Sequence, residues 1–254
     1  MMLDAQNIAL PPRLMPLSIQ VKPGEILHVI GPNGSGKSTM ISCLSGLISC
    51  AGEIELDGKP LNSFSLDALA FKRCYLSQQD RPAFSVTVYH YLHLSVLNPN
   101  INPELLSQVV AHITDVLGIA DKLNRTIHQL SGGEWQRVRL AGACLQVWPT
   151  LNPDSRWLLL DEPAAALDVG QEAMMYQLIR DVARMGIGVV VANHDLNRTL
   201  NEADSVLLLK QGVCLGVGKP DEIMTETRLS EVFNTSVKKV QVEGRPYLIF
   251  DRSI

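Results

Sequence analysis

No stretch of this 254-residue chain is apolar over the roughly 20 residues that a membrane-spanning helix needs. The longest apolar runs, Trp157–Leu160 and Gly186–Ala192, have the length of buried strands. A role at a membrane would therefore have to come through a partner. The N-terminus has no basic stretch ahead of an apolar core and carries Asp4 early, so a secretion signal is not expected and a cytosolic chain is. Paired cysteines are also missing. Cys43, Cys50, Cys74, Cys144 and Cys214 form no CxxC and are odd in number, which argues for free thiols rather than a disulfide framework or a zinc site. A basic excess is lacking as well: the net charge is −4, so no nucleic-acid partner is expected. There is no internal repeat and no low-complexity segment.

What is present is a strand–helix alternation. Glu25–Ile30 reads as a strand between Gly24 and Gly31, and Lys37–Leu47 as a helix after a glycine-rich turn. Short strands are expected at Glu53–Leu56, closed by Asp57-Gly58, and at Cys74–Ser77, ahead of Gln78. From about Thr87 to Val147 the periodicity is helical, broken at Asn98–Asn102 and Asn124–Leu130, and Pro149–Pro153 closes that lobe as a loop. Trp157–Leu160 (strand), Val169–Met185 (helix), Gly188–Ala192 (strand) and Leu196–Glu202 (helix) follow. Ser205–Lys210 and Val213–Gly218 should pair over Gln211-Gly212. A helical stretch and a second hairpin over Glu243-Gly244 end the chain. The pattern predicts an α/β fold with a mainly parallel core sheet, antiparallel β additions and an inserted helical subdomain. It is read as one domain over residues 1–254, with an α/β core at 1–85 and 150–254 and a helical part at 86–149.

Three segments carry chemistry. Gly31-Pro32-Asn33-Gly34-Ser35-Gly36-Lys37-Ser38, followed by Thr39, fits GxxxxGK[ST] between a strand and a helix. Glycines let backbone N–H groups turn inward around phosphate oxygens, Lys37 brings charge to the β- and γ-phosphates, and the Ser38 hydroxyl can bind Mg2+. This is the loop of the P-loop NTPases, with ATP as the expected ligand. Next, the strand at Trp157–Leu160 runs into Asp161-Glu162-Pro163. Beside a phosphate loop, Asp161 suits Mg2+ and Glu162 suits a general base for water. Alone, the same residues are a strand meeting solvent. Third, Leu130-Ser131-Gly132-Gly133-Glu134 precedes Trp135-Gln136-Arg137. Ser131 with Glu134 three residues on is a capping box, and it is also a second phosphate-friendly turn opening a helix.

That third segment resembles the signature motif of the ABC ATPases, and the resemblance covers essentially the whole chain. It implies two copies packed head to tail, each signature turn (Ser131, Gly132, Gly133, Glu134) closing over the partner's ATP. It also gives roles to residues that are mute by themselves. Gln78, otherwise a polar loop residue, resembles the glutamine that touches Mg2+. Asp168 in Ala166-Leu167-Asp168, otherwise a helix cap, resembles the interface-crossing loop. His194, at the C-terminal end of a strand, resembles the histidine near the γ-phosphate, which sets it beside Glu162 and Lys37 as catalytic. Two departures stand out. The family's aromatic upstream of the phosphate loop has no counterpart in Ile8–Met15, and Ala165 and Ala166 precede Leu167-Asp168 where serine is common.

A single nucleotide module without a membrane domain is similar to the ATPases of ABC importers. Tyr75–Gln79, Tyr89–Leu92, Asp121–Arg125, Gln129–Trp135, Asn152-Pro153 and His194–Asn197 resemble the group that serves bacterial vitamin B12 importers. Iron-siderophore or haem importers are the alternative. The resemblance implies a homodimer on the cytoplasmic face of the inner membrane, beneath two permease subunits and served indirectly by a periplasmic substrate-binding protein. Within Ser77–Leu94, the side chains of Phe84, Val86, Val88, Tyr89 and Tyr91 suit a permease contact. They suit the packing of the helical lobe equally well.

Overall fold

The computed structural model describes residues 2–78 and 82–251. The chain forms two compact units: one from the residues up to Ser63 together with those from Val190 onward, the other Phe64–Val189.

The first unit opens with β1 (Leu3–Leu10), β2 (Leu14–Val21), β3 (Ile26–Ile30), α1 (Lys37–Leu44), β4 (Ala51–Leu56) and β5 (Lys59–Pro60). An antiparallel sheet runs in the order β2-β1-β4-β5. β1 and β2 escape a reading by alternation for a physical reason. The β1–β2 register shifts between Ala5 and Ile8 and again between Ile8 and Leu10, and Asn7 takes φ 51, so the buried positions of β1 lose their period of two. α1 stops three residues before the expected Leu47, because Ser45 caps it and Gly46 takes φ 76.

The second unit contains α2 (Leu66–Lys72), β6 (Arg73–Leu76), α3 (Val88–Leu94), α4 (Pro103–Val116), α5 (Gly132–Val147), β7 (Trp157–Asp161) and α6 (Val169–Arg184). β6 and β7 are parallel, from Arg73 opposite Trp157 to Leu76 opposite Leu160. The expected breaks in the helical lobe fall where caps form. The Asn102 side chain accepts from the Glu104 N–H at 2.8 Å with Pro103 at the first helical position, and short 3-10 turns at 120–122 and 127–129 precede α5. No helix among the described residues is long and apolar enough to cross a membrane.

The chain re-enters the first unit along β8 (Gly188–Ala192), buried at every residue. It then forms α7 (Leu196–Glu202), β9 (Ser205–Lys210), β10 (Val213–Gly218), α8 (Pro220–Ile223), α9 (Glu226–Phe233), β11 (Ser236–Val242) and β12 (Arg245–Asp251). β3 pairs parallel with β9, and β10 pairs antiparallel with β9. Both residues of Asp57-Gly58, Gln211-Gly212 and Glu243-Gly244 have positive φ, the twist-compatible form of a two-residue hairpin. The core of this unit gathers Ile30, Leu200, Leu208, Met224, Leu229 and Val232.

Candidate active site

In the first unit, β3 is buried at all five residues and delivers the chain into the glycine loop. Gly31 has φ 154, and a Cβ there would sit 2.2 Å from the Leu209 carbonyl oxygen. Gly36 has φ 105, and a Cβ there would sit 2.6 Å from that of Arg13. Only glycine fits either place. Lys37 is 4% exposed, and its Nζ donates to the carbonyls of Gly31 at 3.0 Å and Pro32 at 3.2 Å. The ammonium is thereby held across the mouth of the loop. Met40, Ile41 and Leu44 anchor α1 in the core, and its first turn has no acidic residue, which leaves its positive end suited to an anion. Ser38 is exposed on that turn and Thr39 is half-buried.

His194 is exposed at the exit of β8. The Asn193 N–H donates to the Val29 carbonyl at 3.0 Å, which puts His194 at the same end of the strands as Gly31. A buried polar web fixes this turn. His28 Nδ1 and Thr199 Oγ1 share a 3.0 Å hydrogen bond, Asn193 Nδ2 donates to Thr199 Oγ1 at 3.2 Å, and the Asp195 N–H donates to Asn193 Oδ1 at 3.1 Å.

In the second unit, Asp161 ends β7 and is 2% exposed. Glu162, next along, has φ 51. Among the described residues, six non-glycine positions have positive φ. Asp57, Gln211 and Glu243 lie in hairpin turns, Asn234 caps α9 and Asn7 sits at the β1 irregularity. Glu162 follows a buried strand with none of these excuses, and strain of about 1–3 kcal/mol at such a place points to function. Gln78 Nε2 donates to Glu162 Oε2 at 2.6 Å, so two residues 84 positions apart meet.

Helix α5 holds both. Arg139, 4% exposed, donates to the Ser77 carbonyl at 2.7 Å and the Gln78 carbonyl at 3.4 Å, and to Gln136 Oε1 at 3.2 Å. Gln136 Nε2 donates to the Pro163 carbonyl at 2.9 Å. Motif spacing does not single out Gln136 and Arg139 for this task. The available signal is that polar side chains standing inside a helix buried on almost every side must find partners.

The turn Ser131–Glu134 is a complete capping box. Ser131 Oγ accepts from the Glu134 N–H at 3.2 Å, and Glu134 Oε2 accepts from the Ser131 N–H at 2.8 Å. That backbone donor, helped by Lys122 at 3.5 Å, holds the Glu134 carboxyl below the usual glutamate range. Asp168 Oδ1 accepts from the Gln171 N–H at 2.8 Å and caps α6. A Cβ on Gly133 would lie 2.9 Å from the Ala166 carbonyl oxygen, so the two caps are packed together.

The second unit thus joins Gln78 to Glu162, and Ser131–Glu134 to the Ala166–Gln171 segment. The first joins the glycine loop to the His194 turn. Ser38 in the first unit, and Gln78 and Asp161 in the second, each carry an oxygen of the hard kind that Mg2+ prefers, and no group of three or more His, Cys, Asp or Glu forms a protein-only cage among the described residues. Cys43 and Cys74 are pushed up to about 12 by burial, as suits inert thiols.

Of the proposed docking side chains, Val88 is fully buried and Tyr91 packs edge-on against Trp135 with centroids 4.9 Å apart, so these two hold the helical lobe together. Phe84 and Tyr89 are exposed. Residues 79–81 of that segment, Gln79 included, lie outside the described residues.

A phosphate loop, an acidic strand end and a capped signature turn define an ATP-binding cassette, and residues 14–165 match the ABC transporter family. The chain belongs to that family. Among its relatives are the vitamin B12 import ATP-binding proteins BtuD of Photobacterium profundum and Vibrio parahaemolyticus. The first is 59% identical over 253 residues, covering 99% of this chain and 100% of the relative. The second is 51% identical over 255 residues, covering 98% and 100%. Among solved structures, the ATP-binding subunit of an ABC transporter has a TM-score of 0.80 at 20% identity, covering 92% of this chain and 98% of that one. A dimeric bacterial ABC transporter cassette has a TM-score of 0.73 at 24% identity, covering 86% and 99%. These structures agree with the α/β fold of the ABC type.

Proposed function

We propose that this chain is the ATP-hydrolysing subunit of a vitamin B12 importer, working as a homodimer on the cytoplasmic face of the inner membrane under two permease subunits. A periplasmic binding protein supplies the substrate from the other side. The observation that carries the substrate is the 59% identity to a vitamin B12 import ATP-binding protein along that protein's full length. Cobalamin itself meets none of these residues.

In this reading the glycine loop Gly31–Gly36 wraps the triphosphate with its N–H groups, and Lys37 balances charge on the β- and γ-phosphates. Ser38, Gln78 and Asp161 would hold Mg2+, which would supply positive charge against that developing on the phosphate oxygens. Glu162 takes the proton of the attacking water. Its strained backbone and the Gln78 hydrogen bond support that role, since both fix the carboxylate direction. His194 steadies the γ-phosphate from the turn that Asn193 anchors. Ser131, Gly132, Gly133 and Glu134 close over the ATP of the second copy, and Asp168 lies at the same interface. Residues 86–149 act as the helical signature subdomain, with Phe84 and Tyr89 toward the permease. Tyr89→Ala is expected to weaken permease association and leave ATP binding unchanged.

The deciding experiment follows labelled cobalamin and a ferric siderophore side by side in cells deleted for this gene. Loss of cobalamin uptake alone, restored by wild type and not by Glu162→Gln, supports the proposal. Loss of siderophore uptake with cobalamin uptake intact overturns the substrate and favours the siderophore importer.

A further inference from the structure

Residues 1–63 contain no Phe, Trp or Tyr, so the β1–β2 turn beside the phosphate loop has no aromatic side chain of its own to support a base. We infer that the guanidinium of Arg13 supplies the face on which the adenine of ATP rests. The inference depends on the ATP reading of the Gly31–Ser38 loop and adds the recognition of the base to it.

The argument is one of placement. The tight turn between β1 and β2 is closed by the Arg13 N–H donating to the Leu10 carbonyl at 3.0 Å. The turn is pressed against the phosphate loop. The Arg13 carbonyl oxygen lies 2.6 Å from where a Cβ of Gly36 would stand and 2.9 Å from where one of Gly212 would stand. The Met15 N–H donates to the Gly212 carbonyl at 2.8 Å, and the Gly212 N–H donates to the Ser35 carbonyl at 2.9 Å. Three segments, 13–15, 35–36 and 212, are therefore stitched into one rim at the start of α1. Leu14 is fully buried and anchors the turn, which leaves Arg13 exposed beside the loop. Met15 and Val213, exposed apolar side chains, flank the same rim.

A triphosphate seated on the N–H groups of Gly31–Lys37 sends its nucleoside out past the loop, where a flat partner for the base is needed. Guanidinium is planar, weakly hydrated and cationic, so it stacks on a base face and is attracted by the π-system. Lysine keeps the charge and lacks the plane. That difference separates base stacking from simple attraction to phosphate.

The test measures equilibrium binding of ATP and of inorganic tripolyphosphate to the full-length protein, for wild type, Arg13→Ala, Arg13→Lys and Arg13→Tyr. Loss of one stacking contact lowers affinity by about 5- to 150-fold. Arg13→Ala and Arg13→Lys should both lose that much for ATP, Arg13→Tyr should stay near wild type, and tripolyphosphate binding should be the same in all four. The inference fails if Arg13→Lys binds ATP like wild type, if tripolyphosphate binding falls in parallel, or if Arg13→Ala changes nothing. Lys37→Ala is the separate control. If it leaves tripolyphosphate binding intact, the phosphate-loop reading itself is wrong.

Discussion

The two glycine turns of this chain look alike in sequence and differ in construction. Gly31–Gly36 has three glycines at positive φ, approaches of its backbone to Leu209 and Arg13 that no side chain would permit, and a buried lysine drawn across its mouth. Gly132 and Gly133 lie inside helix α5 with no positive φ, and the N–H groups of Ser131 and Glu134 on either side of them are engaged in the turn's own capping box. The first turn is shaped for a ligand and tolerates little else. The second is a stable helix start that needs no ligand to keep its form. A glycine pair can thus serve a helix start that closes on itself as well as a loop that closes on a ligand.

The sharpest way to break this contrast is at the chemistry. Lys37→Ala should lower ATP turnover by about 10²–10³-fold or more, because a preorganised charge on the phosphates is lost. A steady-state phosphate-release assay reads it, and a near wild-type rate would remove the special status of the first turn. Glu162→Gln should lower turnover by about 10²–10⁴-fold while ATP affinity holds, as the loss of a general base predicts. Single-turnover kinetics with parallel binding measurements check both halves.

Stability sharpens the contrast next. Gly31→Ala meets backbone at 2.2 Å with a positive φ and should cost about 3 kcal/mol or more, whereas Gly133→Ala keeps an ordinary helical backbone but must push back the Ala166 carbonyl at 2.9 Å, and should cost less, about 1–3 kcal/mol. Denaturant midpoints compare the pair. Ser131→Ala removes only a cap and should cost about 1 kcal/mol, a few degrees in melting temperature.

The smallest effect concerns pH. Glu134 has its folded-state value depressed, so its contribution to stability is present above the ordinary glutamate range and is lost as pH falls through the folded value. Thermal melts across that acidic range should show a shallower loss for Glu134→Gln than for wild type.

Sequence alone makes the ligand turn legible because its chemistry is contiguous: eight residues in a row, a strand before and a helix after. The hairpins over Asp57-Gly58, Gln211-Gly212 and Glu243-Gly244 are legible for the same local reason. β1 and β2 are hidden by register shifts that scramble alternation. The Gln78–Glu162 hydrogen bond and the grip of Arg139 on the Ser77 carbonyl are hidden because their partners stand 84 and 62 positions apart. Val88 looks like a docking residue in sequence and proves to be core, since an apolar helix face does not announce which side it covers.

The hydrogen bonds of Arg139 and Gln136 give α5 a mechanical meaning. One rod grips the backbone just before and at Gln78 and also the backbone just after Glu162, with its own tip forming the capped turn at Ser131. A tilt of that rod cannot be felt at one end alone. A push on the tip is passed to the backbone on both sides of the Gln78–Glu162 hydrogen bond, through a lever a few bonds long.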